Sequence, residues 1–293
     1  RQMCIRDSFN ISFNKSKVTG LSDGQESRYS SVITTNNYIC KVGHPLSEMY
    51  GYVYDGVYQY EDFNEVAPGQ YVLKPEIPNN TEVRSNIQPG SVKLKDLNGD
   101  GKVTAEDQTI IGHGLPIHTG GFTNNFEWKG FDLSVFFQWS YGNDVINYNR
   151  TRLESLNSKH TNQLVSAANH WTPRTVNPDG SITEGNYTNY LCAPNRSLTN
   201  INTDREIEDA SFLRLKNVQL GYSFPTKMLK NLKIRSLRVY VSAQNIWTWT
   251  KYTGYDPEVS TRNSAMTRGF DYSSYPRTRS YTCLLYTSDA ADD

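Results

Sequence analysis

No run of apolar residues in the 293-residue sequence approaches the roughly 18 that a helix needs to cross a bilayer, which excludes a membrane-spanning helix within it. An excess of charge of one sign is missing too. Thirty Lys and Arg balance thirty Asp and Glu, so there is neither the basic groove of a nucleic-acid binder nor a polybasic membrane patch. Cysteine is scarce. Cys4 and Cys283 stand near the ends, while Cys40 and Cys192 are far apart and lack metal-ligand spacing, so they read as incidental small residues rather than a disulfide. Helical periodicity is nearly absent, and neither a phosphate-cradling glycine motif nor a paired catalytic acid stands out. Gly20-Leu21-Ser22-Asp23-Gly24 has the letters of a nucleophile elbow, but Gln25, Glu26, Ser27 and Arg28 continue it as a polar loop where an elbow needs a helix. His113 and His118 flank a Gly/Pro stretch with no third ligand near them. An enzyme is not expected.

The two ends read unlike the rest. RQMCIRDS and CLLYTSDAADD resemble translations of a transposase mosaic-end sequencing adaptor, and one choice of codons for the first has a reverse complement that spells Cys283 to Asp289. Residues 1–8 and 283–293 are therefore expected to be adaptor-derived, with 9–282 as the protein proper.

What is abundant is tyrosine, 20 residues, in a chain whose mean hydropathy is −0.64. Such hydropathy ordinarily suggests a soluble protein, but β-barrel strands alternate lipid-facing and lumen-facing residues and keep a low mean inside a membrane. Alternation is clearest over Phe131, Leu133, Val135, Phe137, Trp139 and Tyr141, set against Asp132, Ser134, Gln138 and Ser140, with Phe136 as the exception. The length suits a tilted spanning strand, and the aromatic ends suit interfacial girdles. Further strands are predicted at 9–14, 35–42, 49–59, 122–128, 212–224 and 234–245, with another from about Arg277. Within 212–224 the apolar phase slips between Leu215 and Val218, which predicts a bulge near Lys216 and Asn217. Trp247 and Trp249 follow at the expected outer edge. Turns at 43–48, 129–130 and 225–233 are short, whereas 15–34, 60–121, 142–210 and 246–276 are long and rich in Asn, Thr, Ser, Asp and Gly. Short turns on one side and long loops on the other are the layout of an all-β, partial antiparallel transmembrane barrel with extracellular loops. Tyr141, Tyr148, Tyr187, Tyr190, Tyr252 and Tyr255 lie beside Asn, Asp and Arg in or near these loops, a combination that suits sugars or peptides and equally suits girdle or loop packing.

The strings PGSVKLKDLNGDGKVTAEDQTIIG, FEWKGFDLSVFFQWSYGNDVIN, DASFLRLKNVQLGYSFP and LRVYVSAQNIWTWTKYTGYDPE closely resemble the C-terminal barrel segments of SusC/RagA-type TonB-dependent transporters, in order from about Phe9 to Thr282. The resemblance implies a plugged 22-strand barrel in the Gram-negative outer membrane, of which about eight strands are present. It also implies import of oligosaccharides or peptides with a SusD-like lipoprotein lid and the TonB system as partners. The plug and the TonB-contacting segment are missing from the chain. The alternative is a soluble, calcium-stabilised surface β-protein acting in adhesion or glycan binding.

One chemical motif remains. Asp96, Asn98 and Asp100 occupy positions one, three and five of an EF-hand-type register, with Gly101 at six, the carbonyl of Lys102 at seven and Asp107 at twelve in place of the usual Glu. These oxygens could supply most of the six to eight that calcium takes, and Ca2+ is the expected cofactor. The bland alternative is an Asx- and Gly-rich turn between strands.

Overall fold

The computed structural model describes residues 4–33, 36–157, 160–198, 201–230, 234–261 and 264–289. Its largest element is a six-stranded antiparallel wall, in the order β1 (Cys4–Phe13), β10 (His118–Trp128), β11 (Phe131–Tyr141), β16 (Phe212–Ser223), β17 (Ile234–Thr250) and β19 (Ser280–Asp289). Residues paired across antiparallel strands share a face. Phe122 pairs with Phe137, Val135 with Val218, and Leu220 with Val241, so the apolar sets of successive strands merge into one outer surface. That surface is bare: Leu220 is 45% exposed and Val241 48%. Phe136, the exception to alternation, points inward, where a Cβ on Gly121 would meet its ring at 2.8 Å; glycine there makes the space. Lys129 and Gly130 join β10 to β11 with φ of 47° and 91°, the two positive values of a type I′ hairpin turn.

The predicted bulge is present. Pairing of β16 skips between Leu215 and Asn217, so Leu213 and Leu215 lie on the outer face with Val218, Leu220 and Tyr222. β17 runs to Thr250, farther than predicted, and carries Trp247 and Trp249 on the outer face opposite Leu215 and Leu213. Of the predicted turn 225–233, Thr226–Leu229 forms a single helical turn, and residues 231–233 lie outside the described residues. The adaptor-like residues Cys4 to Ser8 and Cys283 to Asp289 continue the two edge strands, while 1–3 and 290–293 lie outside the described residues.

Two predicted wall strands belong elsewhere. Segments 35–42 and 49–59 contribute β3 (Asn36–Lys41) and β4 (Glu48–Gly51) to a separate sheet, flanked by β2 (Ser27–Ser31) and β9 (Thr109–His113). The wall therefore has six described strands here, not about eight. The reason is legible in burial: Asn37, Tyr38, Ile39 and Cys40 are consecutive and all buried, so neither face of β3 is free to meet lipid. The turn at 43–48 consequently lies at the long-loop end. Because two strands leave the wall together, the direction of every later strand is unchanged.

The long connections are also more ordered than expected. They hold β5 (Tyr54–Val57) with β8 (Val92–Leu94), β6 (Phe63–Ala67) with β7 (Gln70–Leu73), and β13 (Thr175–Val176) with β14 (Ile182–Thr183). In a further sheet β12 (Asp144–Asn147) lies between β15 (Ile207–Asp209) and β18 (Phe270–Asp271). The apolar clusters sit in this layer. Tyr52, Val57, Leu94, Val103, Trp171 and Cys192 form one, and Tyr38, Met49, Ile146 and Phe270 belong to another.

Candidate functional site

The inner face of the wall is polar. Asn125, Ser134, Gln138, Gln219, Ser242 and Gln244 lie on it, each placed by the same alternation that turns its neighbours outward. Near the tight-turn end Arg238 donates to Asp132 at 2.6 Å across β16. The pair lies over Gly221, where a Cβ would meet Asp132 Oδ1 at 2.5 Å and push the carboxylate aside.

At the other end the connections close over this face through buried charge. Glu154, 2% exposed, accepts from Arg205, from Ser166 Oγ and from Tyr190 Oη at 3.0 Å. Burial pushes its carboxyl up, but the Ser166 hydroxyl together with Arg205 and Arg150 outweighs it and holds it below the ordinary glutamate range. Arg150 continues the network to Glu208 at 3.0 Å, and Glu208 accepts from the Thr253 N–H at 2.8 Å. Tyr54 N–H donates to Asp204 at 2.7 Å, so all three long connections are stitched together. A cavity of about 340 Å³ lies among Tyr54, Glu154, Cys192 and Arg205. A second cluster centres on Arg214 of β16, which donates to Asp256 at 2.6 Å, Glu258 at 3.1 Å and Thr248 at 3.0 Å. Sequence reasoning missed both clusters. The signal for the second was present: an arginine in the phase-slipped part of a spanning strand, and two acids in the string GYDPE.

The loop from Asp96 to Asp107 folds as consecutive turns, with Gly99 and Gly101 at φ of 77° and 80°. Asp96 accepts from the N–H of Gly99 and Gly101 at 2.7 and 2.8 Å, Asn98 from Asp100 at 2.9 Å, and Asp100 from Lys102 at 2.8 Å. Asp107 is fully buried and caps a short 3₁₀ turn, accepting from Thr104 and Leu97 at 2.8 Å and Asn98 at 3.3 Å. Burial raises its carboxyl, but these donors and the side chain of Asp96 within hydrogen-bonding reach bring it below the usual range. Each of these carboxylates is thus engaged by backbone N–H groups of the loop, Asp96 by Gly99 and Gly101, Asp100 by Lys102 and Asp107 by Thr104. Among the described residues, no three His, Cys, Asp or Glu side chains converge to hold a metal ion.

The tyrosines divide among several roles. Tyr141 stacks on His118 at the rim, with centroids 5.0 Å apart, and Tyr148 packs on Phe270 at 5.4 Å. Tyr190 serves the Glu154 network, and Tyr252 is buried with its hydroxyl on Asp271 at 2.6 Å. Tyr187 joins Tyr60 and Trp171, at 5.6 and 5.9 Å, in an aromatic group covered by the Arg174 guanidinium. Tyr255 is left exposed. Gly20 to Gly24 is an exposed turn in which Asp23 and Gly24 take φ of 58° and 68°, without a following helix. His118 Nδ1 accepts from Trp139 Nε1 at 3.1 Å, and the N–H of His113 donates to Asp144 at 2.8 Å. Cys40 and Cys192 are buried free thiols.

A sheet that is apolar outside and polar inside, with tight connections at one end and long ordered ones at the other, defines the wall of a transmembrane β-barrel. No protein-family model matches the chain. TonB-dependent receptor P3 of Formosa agariphila is 34% identical over 287 aligned residues, covering 94% of this chain and 26% of that protein. TonB-dependent receptor P39 of the same organism is 32% identical, covering 92% and 27%, and TonB-dependent receptor SusC of Bacteroides thetaiotaomicron is 25% identical, covering 94% and 23%. In fold, the chain matches the structure of the RagAB peptide transporter with a TM-score of 0.68 at 24% identity, over 97% of this chain and 27% of that one. The chain belongs to the TonB-dependent receptor family, of the SusC/RagA type, and is a protein of the Gram-negative outer membrane. It spans about a quarter of the length of the curated relatives it matches.

Proposed function

We propose that this chain supplies part of the wall and mouth of an importer that carries oligosaccharides or peptides across the outer membrane. A SusD-like surface lipoprotein acts as its partner and the TonB system supplies the energy. The observation that carries the reading is the division of the wall, an uncovered apolar face outside and a polar face inside that leads directly into the ordered connections. A soluble adhesion or glycan-binding protein would have to hide that outer face, and exposed apolar surface of this extent demands a covering phase. The work done is binding and gating, without covalent chemistry. Deleting the full-length gene in its source bacterium should abolish growth on at least one oligosaccharide or peptide, with recovery from a plasmid copy. Unchanged growth across panels of both classes overturns the proposal.

The loop from Asp96 to Asp107 is proposed to take calcium at the mouth, through Asp96, Asn98, Asp100, the Lys102 carbonyl and Asp107. What supports it is the register of side-chain oxygens at positions one, three, five and twelve, with Gly101 at a φ of 80° making the turn at position six.

A further inference from the structure

We propose that Arg214 is a latch: it holds the connection 251–279 folded inward against the inner face of the wall, so that this segment narrows the mouth of the passage and limits the size of what enters. The inference rests on the passage reading above and assigns a positioning role to one residue within it.

Leu220 and Val218 face outward on β16, and unbroken alternation from them would turn residue 214 outward too. The extra residue at Lys216 reverses the phase, so that Leu215 and Leu213 take the outer positions and Arg214 points inside. Bulges commonly re-aim a side chain in this way at functional positions. Here the bulge delivers a cation to the inner face at the long-loop end.

Arg214 is 2% exposed, and a guanidinium so far from water must be matched. Its counter-charges come from the connection and not from the wall: Asp256 at 2.6 Å and Glu258 at 3.1 Å, while the wall supplies the neutral Thr248 and the ring of Phe212, whose centroid is 5.1 Å from the guanidinium. Pro257 separates the two acids, and Glu258 N–H donates to Asp256 at 2.9 Å, which sets both carboxylates toward one cation. The returning limb joins the same cluster, with Arg277 donating to Glu258 at 3.0 Å. Asp256 and Glu258 meet Arg214 and Arg277 only while the connection is folded in, and Lys216, which donates to Gln138 at 2.8 Å, adds a third cation beside them. Opening it would leave Arg214 facing the inner wall without a counter-charge.

Tyr252, buried with Val145 and Ala210 and packed by the partly buried Val259, carries the chain inward at the start of the segment. Pro257, Glu258 and Arg277 then face Gln138 and Ser140 of the wall across a cavity of about 310 Å³. The segment therefore occupies the mouth beside the wall instead of standing above it.

The test uses the full-length protein in outer membranes, in a cysteine-free background carrying Gln138→Cys. A small charged methanethiosulfonate should react, while a maleimide bearing a polyethylene-glycol chain of several kilodaltons should react slowly. Adding Arg214→Met should raise the rate with the large reagent at least tenfold and leave the small one within about twofold. Arg214→Lys, which keeps the charge, should give most of the slow rate back. Asp256→Asn with Glu258→Gln, made in the connection and leaving the wall intact, should reproduce the Arg214→Met result and carries the test if that variant fails to assemble. Barrels that assemble, as judged by heat-modifiable migration, yet label with the large reagent at the parent rate overturn the latch. A Gln138→Cys that reacts with a lipid-soluble reagent and not with the small aqueous one removes the passage reading itself.

Discussion

Asp107 and Asp96 stand in one loop and do different work. Asp107 is buried and holds three backbone N–H groups, so Asp107→Ala would loosen the turn whether or not an ion binds. Asp100 holds only the Lys102 N–H, and its loss leaves the fold of the loop largely in place. Calorimetry on the full-length protein should therefore show calcium binding with a Kd of roughly 10⁻⁴ to 10⁻³ M, the range of extracellular modules. Asp96→Ala and Asp100→Ala should each weaken it at least tenfold. Absence of calcium heat, or heat unchanged by both variants, leaves an Asx-rich turn and nothing more. The register of oxygens was legible in sequence because it is local. That Asp107 would be taken up as a cap was not, since the capping pair with Thr104 appears only once the turn has formed.

At the scale of the element, β11 offers the sharpest contrast. Val135 and Ser134 are neighbours, yet Val135 shares the outer face with Val218 and Ser134 shares the inner face with Gln219. Val135→Arg places a charge in the lipid and should cost about 2–4 kcal/mol, whereas Ser134→Arg should be tolerated better. Urea unfolding of the full-length protein in lipid measures both, and equal costs would contradict the assignment of faces. Alternation gave β10, β11, β16 and β17 and even the bulge, because a strand with one lipid face and one wet face writes its geometry into adjacent residues. It failed at β3, where Asn37 is buried beside Tyr38 and Ile39: a strand covered on both sides carries no period. Burial on both faces is a property of what packs against a strand, and in β3 those partners come from distant segments. Tyr38 Oη donates to the carbonyl of Arg268, and Asn37 Nδ2 to Asn202. The same distance in sequence hid the Glu154 network.

For the whole molecule, strand direction decides which side each connection occupies. Cysteines introduced at Ser181 and Ser264, in cells carrying the full-length protein, should react with a membrane-impermeant thiol reagent. One at Lys129 should be protected until the outer membrane is breached. Equal labelling at all three would mean that the wall does not span the membrane as described. The structure also adds a position that sequence parity placed wrongly: the turn 43–48 belongs with Ser181 and Ser264, because β3 and β4 never enter the wall.

β1 and β10 are direct neighbours in the wall, and everything from residue 14 to residue 117 leaves and returns between them. A segment that departs and comes back at adjacent strands can grow, shrink or be exchanged without re-threading the barrel or inverting any strand downstream. The mouth of such a protein can thus diversify as interchangeable pieces on a fixed frame, each insertion tested by what it binds and not by whether the frame still closes.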